Sequence, residues 1–483
     1  ILGRSPCSPS PTPIPDVIGP FLGCQWPVVH QLSSWRDIMP ATQPIKLKPM
    51  KIHEKWYDMS GFAHPGGPVM LKCGESRDAT ALFESHHPFT NRKYLEDLLS
   101  KYEVDPAKVE CTLLDEKDKD AVFEWPEFES KSKTDVQPPV SDFAHELRTK
   151  VQGYLKQEAT RRGVPLLEAS KCTPYRKFEL TFLACLFLST LPAFVRGEWW
   201  TLLGTPLTYW VLGVNTFHDG SHFGLCRDWR LNHLATYIGW WFSSPLVWYH
   251  QHVIGHHAYP NMPHRDPDLY HNGTFERHTK TLRHRSLHKH QHKTWFPIWC
   301  IGTFAMNFLK PIQLMATGQY NRAVALTQYS KGRIYQHYAG RVLVFCLCHV
   351  WQFFLFDAMK AFAFSAIPVM LVSLCFMVSS QMNHLTHDCI DVSDTDFYKH
   401  QVMTSHSFMD DGIGGYLTFL FTGGLNLQIE HHLFPCINHC HLPNIRKIVK
   451  QTCKKHDVKY PESSGLVEAF GKYIDHMREL SVE

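Results

Sequence analysis

Several stretches of this chain are too apolar and too continuous to be held by water alone. Residues 178–195 carry one acid, Glu179, and lie between the basic flanks Arg176, Lys177 and Arg196. Eighteen helical residues cover about 27 Å, close to the hydrocarbon thickness of a bilayer. Residues 199–217 follow after a very short turn, so the pair is expected to form a helical hairpin. Residues 342–356 and 361–382 make a second hairpin, joined near Asp357 and Lys360. The apolar segments 234–249 and 296–316 lie between histidine-rich stretches that should share one side, so they are expected to be interfacial or re-entrant. Four spans return both termini and every histidine cluster to the same side. The basic residues Arg161, Arg162, Arg227 and Arg230 make that side the cytosol. The mean hydropathy of −0.24 conceals this, because a polar first third is averaged with an apolar remainder.

The composition narrows the function. Histidine contributes 32 of 483 residues, roughly 7%, where average usage is dominated by Leu, Ala, Gly, Ser, Val, Glu and Lys. A net charge of +4 with no clustered basic face argues against nucleic acid. The 15 cysteines include no Cys-x-x-Cys, so reduced thiols are expected instead of a disulfide frame or a cysteine-ligated metal.

Along the chain, residues 1–44 are rich in Pro and Ser and read as a disordered lead-in. Its apolar stretch from Val17 is broken by Pro20 and Pro27 and lacks a basic flank, so no signal peptide is expected. Opening on Ile instead of Met points to an incomplete or wrongly predicted start. Residues 45–112 read as a small, compact, charged domain, 113–172 as a connector with a pre-membrane helix, and 173–483 as an all-α membrane domain. In the small domain, His64-Pro65-Gly66-Gly67 follows an aromatic stretch, and His87 lies 23 residues on, after Asp78-Ala79-Thr80-Ala81-Leu82-Phe83. Two imidazoles on opposed walls of an apolar cleft, with glycines allowing close approach, suit a bis-histidine haem. The arrangement resembles cytochrome b5, particularly the versions fused to lipid-modifying enzymes. By that resemblance the small domain is of the α+β class, and His64 and His87 are the axial ligands of haem b, with His86 the rival for the second place.

The membrane domain holds three histidine clusters. His218 and His222 are an i, i+4 pair at the exit of the second span, and such pairs share one helical face. His252, His256 and His257 repeat the spacing, and Gln428, His431 and His432 follow the fourth span. Seven imidazoles and an amide exceed what one metal can use, and the donor set suits iron or zinc, so a two-metal centre is expected. His384 approaches from the end of the fourth span, while Asp219, Asn261 and Glu430 are candidates to orient the imidazoles. The crowded His278, His284, His288, His290 and His292 read as a solvated basic loop that meets lipid headgroups or an acyl carrier, and His439 and His441 as structural.

His218-Asp219-Gly220-Ser221-His222, the run Gln251-His252-Val253-Ile254-Gly255-His256-His257, and Gln428-Ile429-Glu430-His431-His432 resemble, in order, the three boxes of the front-end acyl desaturases. The resemblance covers about residue 51 to the C-terminus. It implies that His218, His222, His252, His256, His257, Gln428, His431 and His432, with His384, serve two iron ions that activate dioxygen. Electrons arrive one at a time through the fused haem from an NADH-cytochrome b5 reductase, and a cis double bond is inserted into a fatty acyl chain carried on coenzyme A or phospholipid. It further implies an enzyme of the endoplasmic reticulum membrane. The text around Asn215-Thr216-Phe217 and Gln251 to Asn261 looks most like delta-5 members acting on 20-carbon chains. A delta-6 or sphingoid-base delta-8 desaturase and a membrane hydroxylase are the alternatives, and an inactive haem carrier is the reading from another class.

Overall fold

The computed structural model describes residues 46–108, 113–115, 122–125, 141–389, 394–409 and 412–482. The expected lead-in 1–44 lies outside them. Everything described belongs to one compact unit that begins at Lys46.

The first part is the expected small α+β domain. Strands Met50–Ile52, Lys55–Tyr57 and Glu103–Val104 form an antiparallel sheet in sequence order, with Met50 opposite Tyr57 and Tyr57 opposite Glu103. Alternation sets its faces: Met50, Ile52 and Tyr57 turn inward to pack with Leu47, Met59, Ala79 and Leu99. Helices Pro68–Gly74, Thr80–His86 and Arg92–Leu99 complete the domain. Pro68 opens the first at a position where no amide donor is needed, and the Asn91 side chain caps the third by accepting from Tyr94 N at 3.0 Å.

The body that follows is mostly helical. Helix Asp142–Arg162 is capped by Ser141 and stops at Gly163, whose φ of +62° turns the chain left-handed. Its buried face, Leu147, Val151 and Leu155, packs with Leu433, Phe434 and Ile445. Among the described residues, three helices are long and apolar enough to cross a membrane: Pro174–Val195, Lys331–Leu355 and Ala358–Asn383. Their N-termini are capped by Thr173, Ser330 and Asp357. Lys331–Leu355 is only 11% buried over its apolar window, and Val342, Leu347 and Phe354 face outward. An exposed apolar stripe of this extent marks a surface that lipid or another protein covers.

The expected second span differs. Residues 201–221 are continuously helical, as Thr201–Gly213, a π-turn Val214–His218 and Asp219–Ser221, but they are not among the three helices long and apolar enough to cross. The physical reason is composition: Thr205, Thr208, Asn215 and His218 dilute its apolar residues, and Tyr209, Trp210 and Asn215 are buried against neighbouring segments, where their polar groups find partners. Asn215, for example, donates to Val211 O at 2.7 Å and Leu420 O at 2.8 Å. The segment expected to lie at the interface, 296–316, falls within a continuous helical stretch, Gln291–Phe304, Ala305–Leu309 and Lys310–Thr317, packed against Ala358–Ser380. Thr303 N donates there to Ser373 Oγ at 2.9 Å. Nor is the body purely α: a hairpin pairs Gln319–Tyr320 with Val324–Ala325, and Ser407–Phe408 runs parallel to Glu462–Ser463. The twelve cysteines among the described residues are free thiols.

Candidate metal and haem sites

The three boxes do not sit on plain α-helix. His218 closes a π-turn and His222 caps the short helix after it. The second box is itself a π-helix, Tyr249–His256, in which His257 N donates to His252 O at 3.0 Å, an i to i+5 bond. The third is a short α-helix, Gln428–Leu433.

This backbone sorts the imidazoles into two groups. In the first, His218, His222, His252 and His431 bring one nitrogen each within 4.8 Å of the others. Nε2 of His218 lies 2.9 Å from Nε2 of His252, which is 3.1 Å from Nε2 of His257, itself 3.0 Å from Nε2 of His431. The second group is His256, His384 and His432, with Nε2 of His256 3.2 Å from that of His384. The sequence expectation that His252 and His256 share a face as an i, i+4 pair is therefore corrected. In the wider π-turn it is His252 and His257, five apart, whose nitrogens meet, and His256 is turned to the other group. The adjacent His431 and His432 divide in the same way, because neighbouring helical residues do not face each other.

Gln428 stands at the edge of the second group. Its amide nitrogen donates to His384 Nε2 at 2.9 Å and its oxygen accepts from Asn383 Nδ2 at 3.2 Å. In this orientation it bonds an imidazole instead of offering its own oxygen.

The outward nitrogens are held by the surrounding protein. His256 Nδ1 donates to Asp266 at 3.1 Å, His384 Nδ1 to Thr404 O at 2.8 Å and His432 Nδ1 to Gln401 Oε1 at 2.9 Å. His431 Nδ1 reaches His439 Nε2 at 3.0 Å, and His439 Nδ1 donates to Gly423 O. His439 thus orients His431 and is more than structural, a role its place beyond the third box did not reveal. Asp219 lies beside His439, Oδ1 3.1 Å from its Nδ1, and accepts from Asn438 Nδ2 at 2.7 Å, while Asn261 anchors the second group by donating to His384 O at 2.7 Å and to Asp266 from its backbone. Glu430 is corrected: it turns away, accepting from Tyr460 at 2.9 Å, and burial pushes its carboxyl up to about 7. Asp266 and Asp268, beside His256, were not singled out from the sequence; their only signal was an Asp-Pro-Asp run after the second box.

These donors fit metal ions. With the outward nitrogens bonded to Asp266 and Thr404 O, His256 and His384 turn their Nε2 atoms to each other at 3.2 Å, a separation two ligands of one cation can share. Two ligands about 2.1 Å from one ion and roughly at right angles stand about 3 Å apart. Both ring nitrogens of His222, and Nε2 of His432, are buried without a partner. Burial drives His222, His252, His257, His431 and His432 well below the usual imidazole range, with neighbouring imidazoles adding to it, which keeps them in the neutral form a metal needs. His256 differs: burial opposes its charge, but the Asp266 and Asp268 carboxylates outweigh that and raise it. A cavity of about 60 Å³ opens beside the second group, bounded by His256, His384, Trp248, Phe376 and Met377.

In the small domain, the rings of His64 and His87 face each other with centroids 5.9 Å apart and planes at 80°. An iron with one imidazole on each side, at about 2 Å from each nitrogen, sets ring centroids about 6 Å apart. His87 Nδ1 donates to Phe83 O at 2.8 Å, which leaves Nε2 its lone pair. Burial pushes His64 down to about 4, helped by His87. A Cβ on Gly66 would stand 2.9 Å from His64 Cε1, and Gly67 has a φ of +79°, so this turn requires glycine. His86, the rival ligand, points elsewhere: its ring lies on His222, centroids 6.2 Å apart and 25° between planes.

The loop expected to be solvated is partly interior. His278 lies 3.6 Å from Glu276, and His288 Nδ1 accepts from Arg285 N at 3.1 Å; both residues are buried. His441 is structural as expected, held between Tyr154 and Lys171 O at 3.0 Å each.

Comparison with known proteins agrees with this geometry. A family profile described as fatty acid desaturase matches residues 197–464, and one described as cytochrome b5-like heme/steroid binding domain matches 50–104. An acyl-lipid omega-13 desaturase of Chlamydomonas reinhardtii is 25% identical over 92% of this chain and 96% of its own. An acyl-lipid (8-3)-desaturase of Mortierella alpina is 25% identical over 90% and 94%, and a probable Delta(5) fatty acid desaturase C of Dictyostelium discoideum 25% over 92% and 95%. No solved structure matches the chain. The haem-type domain, the apolar helices and the paired histidine groups thus belong to one protein, and the chain is a member of the fatty acid desaturase family, a membrane oxidoreductase with a cytochrome b5-like domain fused ahead of its desaturase domain.

Proposed function

We propose that this chain is a front-end desaturase that inserts a cis double bond between an existing one and the carboxyl end of a polyunsaturated acyl chain, with delta-5 action on 20-carbon chains. The observation that carries the reading is the division of eight buried imidazoles into two facing groups, with nitrogens 2.9–3.2 Å apart, next to a cavity walled by Trp248, Phe376 and Met377. His218, His222, His252, His257 and His431 would hold one iron, and His256, His384 and His432 the other, with Gln428 bonded to His384. His64 and His87 would hold haem b. Bound iron supplies the oxygen-derived oxidising power that an alkyl carbon-hydrogen bond requires, since no side chain is a strong enough base to open it.

The protein's own part is positional. Asp266, Thr404, Gln401 and His439 fix the ring orientations, so little reorganisation is needed during reaction. Trp248, Phe376 and Met377 offer an apolar wall for the methylenes, and the buried site excludes water that would quench a reactive oxidant. The domain limits that follow are 45–112 for the haem domain, 113–172 for the connector and 173–483 for the desaturase. Residues 201–221 act as a fourth crossing, sheltered by their neighbours, which sets both termini and all boxes on the cytosolic face of the endoplasmic reticulum, within reach of an NADH-cytochrome b5 reductase. The acyl group arrives on coenzyme A or on a phospholipid.

Expression in yeast fed separately with 18-carbon and 20-carbon polyunsaturated acids, with chromatography of the derivatised products, tests this. A new carboxyl-side double bond in the 20-carbon acid, absent with His431→Ala, is expected. Product only from 18-carbon acids would move the assignment to delta-6, and a hydroxylated product would overturn desaturation.

A further inference from the structure

The haem-type domain meets the desaturase body along the wall that carries His87. Arg148 Nε donates to Pro88 O at 2.9 Å, Gln152 Nε2 to Phe89 O at 3.3 Å, and the ring of Phe89 stacks on Phe434 with centroids 5.5 Å apart. On the opposite wall, the turn at Gly67 is pressed against the Trp229 ring. Both walls of the cleft are therefore fixed to the body, and between them His86 lies over His222.

His86 is held for that contact. Its Nδ1 donates to Leu82 O at 3.0 Å, with Ser85 Oγ equally close, so the ring cannot swing toward His64 without losing its bond. Its Nε2 is buried with no partner. A buried imidazole with an unused nitrogen is costly, and nothing in the packing of the small domain requires one here. One peptide unit joins it to His87, and its face joins it to His222, a member of the first group.

Resting on the proposed function above, we infer that His86 is a positioning residue for electron transfer, supplying through its ring the contact between the haem side and the first iron group. With haem held by His64 and His87 and iron by the group that includes His222, each passage past the His86 ring would carry one electron from ferrous haem, leaving it ferric, to iron, lowering its oxidation level by one. Two passages accompany each double bond. Dioxygen takes those two electrons with two protons from solvent, and two hydrogens from the acyl chain, to leave two waters.

The test is stopped-flow reoxidation of ferrous haem by oxygen and acyl substrate in the full-length, haem- and iron-loaded enzyme, reduced beforehand with dithionite. His86→Ala is expected to slow reoxidation on the order of tenfold or more, with the Soret maximum, haem content, iron content and KM unchanged. His86→Phe, which keeps a ring in place, is expected to stay near the wild-type rate. Wild-type reoxidation by His86→Ala would overturn the inference, and so would equal slowing by both variants. Loss of haem or iron from both variants would make His86 a ligand and also overturn it. If the wild type itself showed no iron-dependent reoxidation, the proposed function would fail first, which separates the two.

Discussion

Replacing Asp266 by Asn should empty one iron position and leave the other filled. Oδ2 of Asp266 accepts two hydrogen bonds, from His256 Nδ1 at 3.1 Å and Asn261 N at 2.7 Å, while Oδ1 accepts from Asp268 N at 2.9 Å. All three neighbours are donors. An amide has one oxygen, so whichever way the substituted side chain turned, its NH₂ would meet at least one N–H. Either His256 loses its acceptor and its ring orientation, or the Asp268 turn is opened. Removing such a partner costs about 10–100-fold in metal affinity, or roughly 1.4–2.7 kcal/mol. His256 belongs to the second group alone, and the first group is oriented separately, through His431 by His439, whose other ring nitrogen is bonded to Gly423 O. Iron per haem, measured after dialysis against a mild chelator, should therefore fall from two toward one, while the Soret band is unchanged. Retention of two irons per haem, or loss of both together, would refute the division of the ligands argued above.

Other outcomes follow from the same geometry. His257→Ala should deplete the same group as His252→Ala, and His256→Ala the other, so that combining each with Asp266→Asn adds further loss only for His252 or His257; iron counting checks this. Gly67→Ala would force a side chain into a left-handed turn and into Trp229, costing about 1–2 kcal/mol, read as a lower temperature for loss of the haem band. Glu84 is buried, which favours its neutral form, but bonds from His53 and Arg92 outweigh that and hold its carboxyl down at about 2. Its folded value lies below the unfolded 4.5, so this stabilisation is present above pH 4.5 and is lost as pH falls toward 2. Glu84→Gln should lower stability near neutral pH by about 3 kcal/mol and flatten the acid limb of haem-domain unfolding; an unchanged acid limb would contradict the pairing.

Much of this protein was readable from the order of its residues. Apolar runs long enough to cross a bilayer identify themselves, because no water-soluble context satisfies them. The spacing of His64 and His87, and the three boxes with His384, picked out the candidate ligands before any contact was visible, since imidazole clusters of that density have few other uses. What the sequence could not supply was their allocation. An i, i+4 rule assumes an α-helix, whereas the second box is π-helical and pairs His252 with His257. The roles of His439 and Asp266 depend on irregular turns eight and ten residues beyond their imidazoles, and that of Gln401 on a segment 31 residues away, whose courses only the folded chain sets to within 3.1 Å of the imidazoles. The buried helix 201–221 was legible as helix but not as to its surroundings, because hydropathy reports a segment's own composition and not what covers it. His86 shows the same division. Sequence placed it beside a candidate ligand; only the docking of one domain on the other set its ring on His222, because which face of a residue meets which partner is decided by tertiary contacts between segments far apart in the chain.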